Sequence, residues 1–577
     1  MTTIVQDTDK QVRASFKDLF TPKFVTVLRE GYDGKALRAD LVAGLTVAIV
    51  ALPLSMAIAI ASGASPAQGL YTAVIGGFIV SLLGGSRFQI GGPAGAFIVL
   101  VASIVHQHGM DGLFLATMMA GLMLMTVGFF RLGTYIKFIP FPVTVGFTVG
   151  IAALILTSQI KDLFGLSLIG PEPLEFMEKI PVLWAVRESA NFPAIFVSVA
   201  TIGMIAGLQR FKPSWPGMLI AVVGGACAAA FLSLPIETIG SKFGGIPSTL
   251  PVPSFPSLTA SKIIEILPSA FTLALLGAIE SLLSAVVADG MTGRRHRSNC
   301  ELVAQGVANF VAPIFGGICV TGTIARTATN VRAGARSPIA GIMHALFILV
   351  FIVVAAPLAS FIPLASLAGV LVMVAWNMIE KEAFLSLLKA SRGDAVVLLT
   401  TLGLTIFRDL TEAIVIGFAL GSVMFIHRMS SATRIAAHVP LVIEDRADSD
   451  DRDQEPFDAV TAHEPDIAVY RISGAFFFGA AASLGAAFDN IVEKKRALII
   501  DFAQVPLVDS TGAKTLESLG RKAARNNVAF YICAASQEVE HDLIANGIEP
   551  PLICYEKDIN AAVVAAHQKI DTSSAAL

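Results

Sequence analysis

Charge is what this sequence has least of. Only 15% of its 577 residues are Asp, Glu, Lys or Arg, against roughly a quarter in soluble domains. The formal net charge of −3 removes the basic field that a nucleic-acid partner needs, so none is expected. Cysteine is also sparse. Cys227, Cys300, Cys319, Cys533 and Cys554 form no CxxC or other metal-type spacing, so no metal is expected, and they read as small core residues in a reducing or lipid setting. The first 36 residues hold many charges and no apolar h-region, so no cleavable signal peptide is predicted. No nucleophile–His–acid pattern and no phosphate-binding loop is visible. The chain therefore reads as a non-enzyme without a cofactor.

Apolar residues, at 54%, are what is abundant. They run in series from about Leu37 to Ile426, broken by Gly/Pro clusters and short charged loops. About fourteen segments can be read, several near the ~20 residues that cross a bilayer. The clearest are Leu41–Ala61, Ala67–Leu83, Leu113–Phe130, Val143–Ile160, Ile195–Leu208, Gly217–Leu234, Ile263–Ala288, Ile339–Pro357 and Thr411–Ile426. This pattern predicts an all-α polytopic domain in a lipid membrane. With the N-terminus inside, the inner loops carry Arg131/Lys137, Arg210/Lys212, Arg294/Arg295/Arg297, Arg332/Arg336 and Lys381/Lys389/Arg392. The outer loops 62–66, 106–111 and 358–363 carry no Lys or Arg. That asymmetry predicts a multi-pass protein of the bacterial inner membrane with both termini cytoplasmic.

Past Arg434 the composition changes. The expected organisation is a cytoplasmic segment at 1–36, a transmembrane domain at 37–440, an acidic linker at 441–463, an α/β domain at 464–570 and a tail at 571–577. Strand-like runs are Ile467–Ile472, Ala475–Phe478, Ala497–Phe502 and Val528–Cys533; helical runs are Ala481–Val492, Thr511–Ala524 and Glu538–Ala545.

One segment is echoed. Leu83-Gly-Gly-Ser-Arg-Phe-Gln-Ile-Gly-Gly-Pro-Ala-Gly-Ala96 in the first half parallels Phe315-Gly-Gly-Ile-Cys-Val-Thr-Gly-Thr-Ile-Ala-Arg-Thr-Ala328 in the second. Aligning Gly84 with Gly316 sets Pro93 against Ala325. An odd number of spans between the copies would invert one relative to the other, and transporters commonly place their site where two such interrupted helices meet. A helix that starts mid-membrane exposes unpaired N–H groups and about half a positive charge. Pro93 suits its first turn, and glycines let a ligand approach the backbone. Gly91, Gly92, Pro93, Ala94, Gly95, Thr323, Ala325, Arg326 and Thr327 are therefore the predicted anion-binding residues. The competing reading is a small-xxx-small packing face at Gly91 and Gly95.

Two ionisable residues fall inside apolar sequence. A carboxylate at bilayer depth costs about 2.5–3.5 kcal/mol on insertion scales, which makes Glu280 a candidate proton carrier with Ser284 beside it. The alternative is a structural partner for an arginine. Arg326 adds a cation to a positive helix end, so a bound anion is its natural partner; pairing with Glu280 is the alternative. Two helix N-termini and Arg326 sum to about +2, which suits a dianion. Ser281 and Ser284 could bind substrate or only a helix carbonyl. His106 and His108 are expected to be solvated.

These motifs resemble the SulP family of anion transporters, the bacterial relatives of the SLC26 carriers. The resemblance rests on Ala51-Leu-Pro53 through Gly69-Leu-Tyr71, Gly91-Gly-Pro93, Gly277-Ala-Ile-Glu-Ser-Leu282, Asp289 through Gly306, and Ala325-Arg-Thr-Ala-Thr-Asn330. It implies fourteen spans in a seven-plus-seven inverted repeat, core and gate sub-bundles, homodimers and elevator-like movement. It implies an anion between the third and tenth helices. It also implies proton rather than sodium coupling, because the Glu280 position is Asp in sodium-coupled bicarbonate relatives. Gly277–Leu283 and Met373-Val-Ala-Trp-Asn-Met378 look most like the bacterial aerobic C4-dicarboxylate permeases of the family. Two departures stand out: Pro53-Leu-Ser-Met-Ala-Ile-Ala59 lacks the Gln common in sulfate carriers, and Ala94 replaces a hydroxyl residue. The C-terminal domain resembles STAS domains. Val508-Asp-Ser-Thr-Gly512 matches the loop phosphorylated in anti-sigma-factor antagonists, so Asp509 and Ser510 are regulatory candidates, with a cytoplasmic partner implied. The function expected is secondary active transport of sulfate or a C4-dicarboxylate across the inner membrane, by proton-coupled symport. The alternatives are bicarbonate or another inorganic anion, an uncoupled channel, or a receptor signalling through its STAS domain.

Overall fold

A computed structural model describes residues 19–575 apart from 135–139, 169, 171, 174, 213–214, 258, 409, 433, 438–465 and 478–494. The acidic linker, Lys137, residues 1–18, Phe478 and the helix predicted over Ala481–Val492 lie outside the described residues. Two compact units meet between Ala419 and Leu420.

The first unit is helical because apolar backbone in lipid must bond to itself. A short helix, α1 (Lys23–Glu30), precedes α2 (Gly34–Ala61), which starts where the Asp33 side chain accepts from Ala36 N at 2.8 Å. Then come α3 (Pro66–Leu83), α4 (Ile98–Phe129), α5 (Phe141–Phe164), α6 (Phe176–Ala185), α7 (Phe192–Phe211), α8 (Gly217–Phe231) and α9 (Ile239–Phe243). The second half holds α10 (Ala260–Thr292), α11 (Ser298–Val311), α12 (Ile324–Arg332), α13 (Ile339–Ala359), α14 (Leu364–Met378), α15 (Lys381–Ala390) and α16 (Arg392–Phe407), and α17 (Leu410–Ala432) runs through the boundary between the units. Nine helices among the described residues are long and apolar enough to cross a membrane. Within the stretch 106–111 expected as an outer loop, two helical segments of α4 meet at Gly109, whose non-helical backbone (φ 69°, ψ −176°) breaks the helix with a single residue that glycine tolerates. His108 is correspondingly not solvated: its Nδ1 lies 3.4 Å from Glu265 Oε1, with the side chain 14% exposed.

Two bundles emerge. Helices α2, α3, α4, α10, α11, α12 and α13 pack mainly on one another, while α5, α7, α8, α14 and α16 form the second group. Small residues set the closest approach. A Cβ on Gly121 would lie 2.6 Å from Gly306 O, and one on Gly306 2.6 Å from Gly121 O, so α4 and α11 touch backbone to backbone.

The second unit carries a five-stranded sheet in sequence order. Antiparallel β3 (Arg434–Ala437) joins parallel β4 (Ile467–Ser473), β5 (Ala497–Gln504), β6 (Ala529–Cys533) and β7 (Cys554–Glu556). The remaining strands, β1 (Gly91–Gly92) and β2 (Thr321–Gly322), belong to the first unit. Helices α18 (Ser510–Arg525), α19 (Gln537–Ala545) and α20 (Ile559–Ala575) complete it. Leu498, Ile500 and Phe502 bury against α18 and α19, and Ile499 faces the α20 side, so β5 is covered on both faces as a parallel strand must be. Of the strand expected at Ala475–Phe478, only a single bridge from Phe476 to Val508 is described. The expected tail is helical as far as Ala575.

Candidate functional site

The echoed segments meet. β1 (Gly91–Gly92) and β2 (Thr321–Gly322) pair antiparallel inside the first bundle, Gly91 opposite Gly322 and Gly92 opposite Thr321. Beyond the ladder, Thr323 N donates to Ile90 O (3.1 Å) and Ile90 N to Thr327 Oγ1 (3.1 Å). Neighbouring helices complete the knot. Asn309 binds both main-chain groups of Val320 (2.7 and 2.8 Å), and Gln89 Nε2 donates to Ser281 O (3.0 Å). Backbone that leaves helical structure at this depth is thus satisfied by protein, as lipid requires.

One helix leaves each end of the ladder. The first opens as a 3₁₀ turn at Gly95–Phe97 and becomes α4 at Ile98; the second is α12, from Ile324. Neither N-cap residue, Ala94 or Thr323, closes a side-chain hydrogen bond on the first-turn N–H groups. Pro93 is not in the first turn, as its sequence suggested. It precedes the N-cap, where extended backbone needs no donor and its carbonyl is free to accept from Arg326. Ile324 and Ala325 are exposed. Gly95 is half-buried and faces the second bundle, where a Cβ would contact Met378 Sδ at 3.6 Å and Ile155 Cδ1 at 3.8 Å. The packing alternative holds at Gly91, whose Cβ would press on Val80 at 2.9 Å, but not at Gly95.

Arg326 turns inward and is 1% exposed. Its Nη2 donates to Pro93 O (3.0 Å) and Ser55 Oγ (3.2 Å), and its Nη1 lies against Gly92, where a Cβ would come within 2.2 Å. No acidic side chain pairs with it among the described residues: Nε and Nη1 have no partner and neither has Glu280 Oε2, so the Glu280 pairing is not formed. Glu280 is half-buried on α10, its Oε2 without a protein partner. Ser284, one turn on, donates to Thr327 Oγ1 (3.1 Å); Ser281 Oγ meets Thr321 Oγ1 (2.8 Å) and accepts from Gly322 N (3.3 Å). The two serines therefore tie α10 to the crossing and do not simply bond their own helix. Gln89, Asn309, Thr321 and Ser55 escaped the sequence reading; amide and hydroxyl groups inside apolar runs were the available signal.

A cavity of about 390 Å³ adjoins the first half-helix, lined by Ile98, Val99 and Ala102 on one side and Lys161, Asp162 and Lys242 on the other. The α10–α11 loop holds a grouping that the sequence did not reveal. His296 Nδ1 lies 2.6 Å from Asp289 Oδ2 and its Nε2 3.0 Å from Ser298 Oγ. Asp289 also accepts from His296 N (3.1 Å), so the carboxylate closes a turn. In the second unit Asp509 caps α18 by accepting from Gly512 N (2.7 Å), leaving Ser510 exposed at the first helical position.

Residues 37–401 match the sulfate permease family and residues 458–556 the STAS domain. This chain belongs to the sulfate permease family. Members include YvdB of Bacillus subtilis, provisionally named a sulfate transporter, 40% identical over 90% of this chain and 95% of that protein. The bicarbonate transporter BicA of Synechocystis is 31% identical over 88% of this chain and 90% of its own length. Among solved structures, murine Slc26a9 in the inward-facing state matches with a TM-score of 0.83 at 17% identity, covering 98% of this chain and 97% of that one, a likeness of fold. The BicA transmembrane domain matches with a TM-score of 0.59 at 32% identity, covering 68% of this chain and 98% of that one. The family is one of membrane transporters. Its member here has a mostly helical membrane domain followed by a small α/β STAS domain.

Proposed function

We propose that this sulfate permease family member is a proton-coupled secondary transporter of a small oxyanion, sulfate or a C4-dicarboxylate, across the inner membrane. One observation carries the reading. Two helix N-termini, uncapped by side chains, open from the two ends of a single two-residue ladder that Arg326 buttresses from behind. Together they supply about +2 of compensating charge, appropriate to a dianion. Ligand would meet Ala94, Gly95, Thr323 and Ala325, with Gly91, Gly92, Pro93, Arg326 and Thr327 fixing the geometry. Glu280, unpartnered beside the crossing, is the proton carrier: ionised it opposes an anion, protonated it does not. The seam between the two bundles supports elevator movement of the first against the second, in a fourteen-span homodimer with both termini cytoplasmic.

Bicarbonate is the second reading, favoured by the likeness to BicA over most of its length. Purified protein in liposomes under an imposed pH gradient, given labelled sulfate, succinate or bicarbonate, separates them. Accumulation of one, competed by the others in order of affinity, identifies the cargo; no accumulation under any gradient indicates a channel or receptor. Glu280→Gln should abolish the pH dependence of uptake, and its full retention would remove Glu280 from the mechanism. Ser510, exposed beside the Asp509 cap, is the position at which a phosphate would meet a helix N-terminus and a partner could read it.

A further inference from the structure

Behind the crossing, away from exposed Ile324 and Ala325, lies a group of side chains that the transport reading does not use. His344 on α13 is 0% exposed, and neither ring nitrogen has a protein partner. Ser81 on α3 is 2% exposed and its Oγ is likewise unpartnered. Arg326 contributes Nε and Nη1, both buried and unpartnered.

Close packing brings them together. A Cβ on Gly341, one turn before His344, would lie 2.1 Å from Ser81 Oγ. One on Gly77, a turn before Ser81, would lie 3.7 Å from His344 Nδ1 and 2.9 Å from Gly91 O. Gly92, next in the ladder, carries the guanidinium. Gly77 and the Gly91–Gly92 strand thus link the His344 ring to the Arg326 guanidinium.

Dry, these groups would each forfeit a hydrogen bond in a low-dielectric interior. Native interiors satisfy such groups, with ordered water where protein is lacking. The set also matches water chemically: the guanidinium donates, the serine hydroxyl does both, and a neutral imidazole offers one donor and one acceptor.

We propose that His344, Ser81 and Arg326 enclose a buried chain of ordered water, and that through this water His344 holds the guanidinium against Gly92, as a positioning residue for the anion site. His344 touches no substrate; it acts through Arg326.

The sign of a stability change tests this without any cargo. If these groups are dry, His344→Leu removes unsatisfied polar atoms and should raise the melting temperature of the detergent-solubilised protein. If water fills it, His344→Leu strands the water and the arginine, and the melting temperature falls by several degrees, while His344→Gln, with a donor and an acceptor, restores it. Ser81→Ala should act in the same direction and couple non-additively with His344→Leu. Where wild type transports, His344→Leu should also raise KM by about tenfold with kcat little changed, and Gln should rescue it. The proposal is overturned by a melting temperature that rises in His344→Leu, by Gln faring no better than Leu, or by stability that tracks chloride concentration, which would mark a halide. Absence of transport in wild type would count against the functional reading alone, since the melting arm stands without it.

Discussion

Alanine at Gly92 probes the crossing most directly. Its Cβ would lie 2.2 Å from Arg326 Nη1 and 3.3 Å from Cζ, with Ala73 Cα 3.8 Å away on α3. Ordinary contact requires the guanidinium to withdraw by about 1 Å. Its Nη2 bonds, 3.0 Å to Pro93 O and 3.2 Å to Ser55 Oγ, have no slack for such a shift. Each hydrogen bond to a charged group contributes about 1.5–3 kcal/mol, so losing one predicts at least a tenfold rise in KM for the transported anion. Initial-rate uptake by proteoliposomes reads that change, and a melting curve confirms that the protein is folded. Gly203→Ala, a helical position with nothing within 4 Å, controls for the substitution itself. A folded Gly92→Ala transporter with wild-type KM would show that the guanidinium does not support the anion site.

Three other expectations follow from the same contacts. Thr327→Val strands the buried Ile90 N–H that bonds Thr327 Oγ1, and should cost about 1–3 kcal/mol, read as a lower melting temperature, while Thr327→Ser should be near neutral. Glu301 accepts from Gly85 N (2.9 Å), Ser86 N (3.1 Å) and Gln305 Nε2 (2.9 Å), so Glu301→Ala should destabilise the membrane domain by about 2–4 kcal/mol in the same assay. Burial pushes the Cys533 thiol of the STAS domain up to about 12, leaving roughly one part in ten thousand as thiolate at pH 8. Cys533 should therefore resist maleimide in the native protein and react after denaturation, as mass spectrometry of the digested protein will show.

Much of this architecture is written in residue order. Uncharged runs such as Ile339–Pro357 are long enough to span lipid and have nowhere else to go. The doubled Gly-Gly motifs mark backbone that leaves the helix in each half, and the structure joins them as a ladder. Finer placement was not legible. Proline at position 93 fits a first helical turn and an extended approach equally well, and it is the extended N-cap at Ala94 that puts Pro93 before the helix. The direction of the Arg326 side chain depends on Gly92, Ser55 and Pro93, which lie far from it in sequence. His106-Gln-His108-Gly-Met-Asp111 has loop composition, yet only Gly109 departs from helix. The Asp289–His296–Ser298 chain forms because α10 ends and α11 begins at one turn, a geometry that residue spacing does not encode.

The ladder between Gly91–Gly92 and Thr321–Gly322 also bears on how the protein is made. Its hydrogen-bonded surroundings join Ile90 to Thr327, 237 residues apart. During synthesis the first half therefore enters the bilayer with these peptide groups lacking their final partners, and must wait for α10 to α12 to be inserted. Half-molecules split between α9 and α10 should each be short-lived alone and rescue one another when co-expressed, because neither can finish its own interior.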